Sequence, residues 1–206
     1  MITLIDYKAG NLTSVRKAFT FLGEESVITD DPEQVRDAEA LVLPGVGHFC
    51  TTERLASSGV RDAVSEAIER GTPFLGICVG MQWQFAGSTE SPETKGLGLF
   101  EGSCERFQTK LKVPHVGWNQ IRRSGSATPS RLLDGVPDES FVYFTHSYRA
   151  PVVDGVSAVT SYDETFAAAV ERDNVFGVQF HPEKSGDTGL RILKNFCTYT
   201  AARRAR

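Results

Sequence analysis

Gly76-Ile-Cys-Val-Gly80 sets a cysteine between two glycines, directly after the apolar pair Phe74-Leu75. A nucleophile carried on a sharp strand-to-helix turn brings the residues two places either side of it into collision. Glycine at both places removes the clash. The same turn puts the sulfur at the positive end of a helix, where thiolate is favoured over thiol. It also aims the N–H of the following residue, Val79, at the reaction centre, where it can stabilise an oxyanion. Taken alone, the pattern also describes a buried cysteine beside two loop glycines.

A cysteine nucleophile needs a base. Of the four histidines, His48, His115, His146 and His181, the last closes an apolar strand, Val178-Gln-Phe180. Glu183 follows two residues later and can orient and charge-stabilise the imidazole. Pro182 between them restricts the backbone and fixes both directions. Without Cys78, His181 would read as a strand-end histidine bonded to a loop carbonyl; with it, acyl transfer is the better reading. Pro44-Gly-Val-Gly47 is the third component. Glycines on both sides of Val46 let a peptide N–H turn toward a ligand or away. In isolation it is a tight turn after a strand. Beside a nucleophile, Val46 and Gly47 become the other half of an oxyanion hole.

These residues need a scaffold that brings them to one edge. Ile2–Ile5, Val27-Ile28, Ala40–Leu43 and Phe74-Leu75 are short apolar runs. Between them lie helical stripes, Leu12, Val15, Phe19 and Leu22, then Val60, Ala63, Val64, Ala67 and Ile68. Continuous apolar strands alternating with amphipathic helices indicate a parallel sheet covered on both faces. In the second half, 141–144, 156–159, 166–170 and 176–180 are strand-like without intervening helices, so antiparallel pairing is expected there. Leu190, Leu193, Phe196 and Cys197 then share one face of a last helix. The fold expected is α/β, a three-layer, flavodoxin-like sandwich with a mostly parallel central sheet and an added antiparallel region. Ligands in such sheets bind beyond the carboxyl ends of the strands. The Asp6–Asn11 loop, Gly45–Gly47 and Cys78 all fall at such ends.

The bulk composition excludes several functions. A chain of 206 residues with net charge −4 fits a single domain, 1–206, and offers no nucleic-acid surface. The basic end, 201–206, reads as a frayed tail, and 124–130 as a surface loop. Cys50, Cys78, Cys104 and Cys197 form no C-x-x-C pair, which argues against zinc and against a disulfide framework. Apart from Cys78 they read as packing residues. No metal or other cofactor is expected, and no phosphate loop of the flavin-binding type follows the first strand. The N-terminus is no signal peptide and no run reaches membrane-spanning length, so a cytoplasmic, reducing setting is expected.

Six segments occur in order: Asp6-Tyr-Lys-Ala-Gly-Asn11, Pro44–Gly47, Gly76–Gln82, Pro114-His-Val-Gly-Trp-Asn119, His146-Ser-Tyr-Arg149 and His181-Pro-Glu-Lys-Ser185. Over essentially the whole chain they resemble the class I, triad-type glutamine amidotransferases. Within that group they are most similar to the glutaminase subunits of imidazole glycerol phosphate synthase, from histidine biosynthesis. The resemblance implies a Cys78, His181 and Glu183 triad that hydrolyses L-glutamine through a thioester, with no cofactor. It implies an oxyanion site at Val46, Gly47 and Val79. It assigns Gln82, His146, Ser147 and Tyr148 to the amino-acid end of the substrate. It further implies a heterodimer with a cyclase subunit, a (β/α)8 barrel that receives the ammonia, contacted by Asn11, His115, Trp118, Asn119 and Lys184. In that reading 114–119 is a loop. Lys8 departs from the pattern, since many members carry glycine there. Two other readings stay open on residues alone. One is a cysteine peptidase or related hydrolase using the same Cys78 and His181. The other is a non-enzymatic interaction module on a flavodoxin-like sheet.

Overall fold

The structure is a computed structural model and describes residues 1–125 and 128–204. Ser126 and Ala127 of the expected surface loop, and Ala205 and Arg206 of the basic tail, lie outside the described residues.

The first half runs β1 (Ile2–Ile5), α1 (Leu12–Phe21), β2 (Ser26–Thr29), α2 (Pro32–Arg36), β3 (Leu41–Gly45), α3 (Glu53–Ser57), α4 (Val60–Glu69), β4 (Phe74–Cys78) and α5 (Val79–Gln82). The second runs β5 (Gly87–Ser88), β6 (Ser103–Arg106), β7 (His115–Arg123), β8 (Ser140–His146), β9 (Tyr148–Arg149), β10 (Val156–Tyr162), β11 (Glu164–Arg172), β12 (Val175–Val178) and α6 (Gly186–Arg204).

Nine strands form the central sheet in the order β2-β1-β3-β4-β12-β11-β10-β7-β8. Pairings from β2 across to β12 are parallel; from β12 to β8 they are antiparallel. Every residue of β1, β3, β4 and β12 is buried. Strands with no wet face need cover on both sides of the sheet. The helices supply it in two groups, α1 against α6, and α2 and α3 against α4. The fold expected from the sequence is therefore present, with the change from parallel to antiparallel pairing at β12. That strand lies parallel to β4 in register, Val178 opposite Ile77. The chain leaving β12 toward His181 thus emerges at the same edge as Cys78.

Three elements differ from the sequence reading. Residues 114–119 are not a loop: His115–Arg123 is a strand of nine residues. The buried Ile121 follows the usual alternation, but over 115–119 the outward side chains, Val116 and Trp118, are apolar while His115 and Asn119 face inward. This inverts the apolar-in, polar-out alternation by which a half-buried strand is recognised. Helix α2 was not anticipated either, although Asp31 caps it by accepting from the N–H of Glu33 at 3.0 Å with Pro32 at its first turn. Strands β5, β6 and β9 form a separate small sheet; two of them have only two residues, too few for any periodicity.

Candidate active site

Cys78 ends β4 and opens α5 with φ 53° and ψ −108°. This left-side conformation is rare for a residue with a Cβ and persists only where the surroundings impose it. The neighbouring glycines are required by contact. A Cβ on Gly76 would run into the carbonyl of Gly80, and one on Gly80 into the carbonyl of Leu43 on β3. The sulfur lies in a cavity of about 170 Å3 lined by Val46, Gly47, Cys78, Val79, Gln82, Glu90, Thr145, His146, Ser147 and Tyr148. Gly47 has φ 105°, open only to glycine without strain.

Directly after Phe180, the side chain of His181 is 1% exposed and that of Glu183 likewise 1%. Nδ1 of His181 meets Oε1 of Glu183 at 2.9 Å. Nε2 has no hydrogen-bond partner of ordinary geometry among the described residues. Burial works against a charged imidazole here, but the nearby Cys78 sulfur, and after it Glu183, outweigh that effect. The His181 pKa is raised to about 10. Since Nε2 forms no regular hydrogen bond, the sulfur acts on the ring chiefly through charge. A buried imidazolium, oriented by a carboxylate and coupled to a cysteine, is the proton donor that an amide leaving group requires.

Comparison with known proteins shows the family to which the chain carrying this edge belongs. The family model described as class-I glutamine amidotransferase matches residues 3–199. The chain belongs to that family. This amidotransferase is 46% identical over 199 residues to the imidazole glycerol phosphate synthase subunit HisH of Caldanaerobacter subterraneus subsp. tengcongensis, covering 95% of this chain and 97% of the relative. It is 47% identical over 203 residues to the subunit of the same name from Thermococcus kodakarensis, covering 95% and 98%. Solved structures share its fold: one titled glutamine amidotransferase aligns with a TM-score of 0.76 at 20% identity, over 98% of this chain and 100% of that one. The structure of PurLQS from Thermotoga maritima aligns at 0.74 and 20%, over 96% and 97%.

The remaining expected site residues of this amidotransferase divide by depth. Gln82 is buried, and its Nε2 donates to the Tyr148 carbonyl at 2.9 Å and to Oε1 of Gln179 at 3.0 Å. Both amide hydrogens thus meet protein acceptors, leaving Oε1 for a ligand. His146 is buried too and is kept neutral, burial pushing its pKa down to about 3. At the expected partner surface, Trp118 is 55% exposed and stands edge-on to its cross-strand neighbour Tyr143. The ammonium of Lys184 lies 5.9 Å from the Tyr143 ring centre. Asn11 is half-buried at the start of α1.

His115 corrects the expectation. It is 3% exposed, stacked between Phe144 and Tyr162, so it is part of the interior beneath that surface. Asn119 also turns its amide inward, to the Ser161 carbonyl at 2.9 Å.

Three residues of the site escaped the sequence reading: Glu90, Gln179 and Thr145, which lines the cavity and whose carbonyl accepts from Sγ of Cys78 at 3.9 Å. Glu90 lines the cavity and fixes itself by accepting from the N–H of Phe49 at 2.8 Å. Gln179 is fully buried, and its Nε2 donates to Sγ of Cys78 at 3.6 Å. Glu90 lies in an irregular stretch with no spacing to mark it. Gln179 sits inside an apolar run, where a lone buried amide was the available signal, since a buried polar group must find a partner.

Proposed function

We propose that this chain, acting as one domain over 1–206, is the glutaminase subunit of an imidazole glycerol phosphate synthase in histidine biosynthesis. It hydrolyses L-glutamine to glutamate and ammonia. The ammonia passes to a cyclase subunit, a (β/α)8 barrel, which forms imidazole glycerol phosphate and AICAR. The observation that carries this reading is the nucleophile elbow at Cys78 opening into the same edge as the buried His181–Glu183 pair, at 2.9 Å.

The Cys78 sulfur attacks the side-chain amide carbon of glutamine. Negative charge gathers on the former carbonyl oxygen, held by the N–H of Val79 and by the Val46–Gly47 peptide. His181, oriented by Glu183, gives its proton to the nitrogen, and ammonia leaves a thioester. Water, surrendering a proton to His181, attacks the thioester carbon and frees glutamate and the thiol. Oxygen Oε1 of Gln82 and the His146–Tyr148 segment hold the amino-acid end, with the Glu90 carboxylate opposite the α-ammonium. Ammonia released into water would be protonated and lost as a nucleophile, so the product needs a sealed exit. The exposed face of Val116, Trp118, Phe141 and Lys184 suits the barrel that provides it: large apolar side chains on an antiparallel sheet edge, with a cation at their border.

The test is glutamate release from glutamine, with and without a candidate barrel subunit, together with labelling by a glutamine analogue that carries an electrophile. Selective labelling of Cys78 and barrel-dependent ammonia transfer support the proposal. Glutamine turnover that survives replacement of Cys78 by alanine would refute it.

A further inference from the structure

The carbonyl oxygen of Tyr148 accepts two hydrogen bonds, one from Nδ1 of His146 at 2.8 Å and one from Nε2 of Gln82 at 2.9 Å. A carbonyl can only accept, so this one atom sets the polarity of everything attached to it. On one side His146 carries its hydrogen on Nδ1. Burial keeps that ring neutral, so Nε2 is bare and accepts from Nδ1 of His115 at 3.2 Å. His115 is neutral for the same reason; its bare Nε2 faces the amide nitrogen of Asn119 at 3.5 Å. On the other side, the second Nε2 hydrogen of Gln82 meets Oε1 of Gln179 at 3.0 Å. The Gln179 amide is thereby prevented from flipping. Its nitrogen, and not its oxygen, must face Sγ of Cys78, at 3.6 Å.

We propose that Gln179 is a positioning residue for the nucleophile: its N–H holds the Cys78 sulfur, and its orientation is fixed by a hydrogen-bonded chain that starts at the Tyr148 carbonyl and runs through the Gln82 amide. The proposal deepens the glutaminase reading and rests on it. An N–H donor stabilises sulfur as an anion more than as a thiol. A flipped amide would set an oxygen against the same charge. The chain therefore acts as a lock on the favourable orientation. A second arm from the same carbonyl, through His146 and His115, reaches Asn119 on β7, the strand whose opposite face presents Val116 and Trp118 to solvent. Gln82, Gln179, His115 and His146 are all buried, so breaking any link leaves an unpaired polar atom, and the links hold or fail together.

The experiment compares Gln179→Met and Gln179→Glu with the unaltered chain, using alkylation of Cys78 by iodoacetamide, which needs no substrate pocket. Loss of a hydrogen bond to a charged group predicts about a tenfold slower alkylation at neutral pH for Gln179→Met. Gln179→Glu, which sets an oxygen against sulfur at equal size, should be slower still. The acid limb of the rate profile should move to higher pH, with kcat falling more than KM rises. A residue that only fills space would lower the melting temperature and leave the alkylation profile where it was; that result overturns the proposal. Should both variants fail to fold, the Gln179 side-chain amide resonance in the otherwise unaltered protein decides. It must shift when Cys78 is replaced by alanine, and an unmoved resonance overturns the proposal as well. Failure of the electrophilic glutamine analogue to label Cys78 in the unaltered chain would instead count against the glutaminase reading.

Discussion

Cys78 and His181 are each ordinary residue types made unusual by a neighbour. The His181 imidazole is buried, which by itself would drive it neutral, yet the sulfur and Glu183 raise its pKa to about 10 from 6.5. A histidine whose folded-state pKa is raised adds stability that is complete below about pH 6.5 and is lost as pH climbs through 10. The melting temperature should therefore decline between pH 7 and 10, and the decline should shrink in Cys78→Ala, which lacks the strongest charge partner. Thermal scans across that range check both. His146 has the opposite sign. Its pKa is depressed to about 3, so the unfolded chain binds the proton more readily. Stability should fall as pH drops from 6.5 toward 3, less steeply in His146→Gln. For catalysis, Glu183→Gln keeps the size and removes the charge that supports the imidazolium. Its kcat for glutamine hydrolysis should fall about a hundredfold or more, measured by glutamate release at saturating substrate.

Elements explain why these neighbours meet. β4 and β12 run parallel and adjacent, so their C-terminal ends deliver Cys78 and His181 to one edge although the two residues are far apart in sequence. The turn after β4 is so tight that α5 passes directly over β3. Gly80→Ala must push its methyl into the Leu43 carbonyl, and about 3 kcal/mol of destabilisation is expected, read as a lower midpoint in urea unfolding. The sequence showed β1, β3, β4 and the helical stripes because each is uniformly apolar or regularly amphipathic. It concealed β7, where Val116 and Trp118 point to solvent and His115 points in. Hydrophobic periodicity reports burial within one chain, so a strand that turns apolar side chains to its own solvent face is misread by it.

At the scale of the whole molecule, the sheet has two unlike halves. The parallel half carries the nucleophile, with no face open to water. The antiparallel half opens to water at its β7–β8 end, where Val116, Trp118 and Phe141 stand more than half exposed. Replacing Trp118 by alanine should change folding stability by no more than about 0.5 kcal/mol, as for other surface positions. It should weaken binding of a barrel partner by about 2 kcal/mol, as at interface centres rich in tryptophan. Calorimetric titration against urea unfolding separates the two effects. Because the glycine at position 47 gives its peptide freedom beside the cavity, the lone chain should hydrolyse glutamine slowly, with acceleration on adding the barrel. Equal rates with and without it would sink that coupling.

The amino-acid sequence alone determined the α/β alternation, the glycine-flanked cysteine and the His181–Glu183 pair two residues apart. These are local facts, fixed by periodicity, steric need and short reach along the backbone. Only the tertiary structure decided that His115 lies inside, that Glu90 joins the cavity and that Gln179 touches the sulfur. Each of these depends on residues from distant strands satisfying one another's hydrogen bonds away from water. No spacing along the chain encodes which buried donor will find which acceptor until the sheet has closed around them.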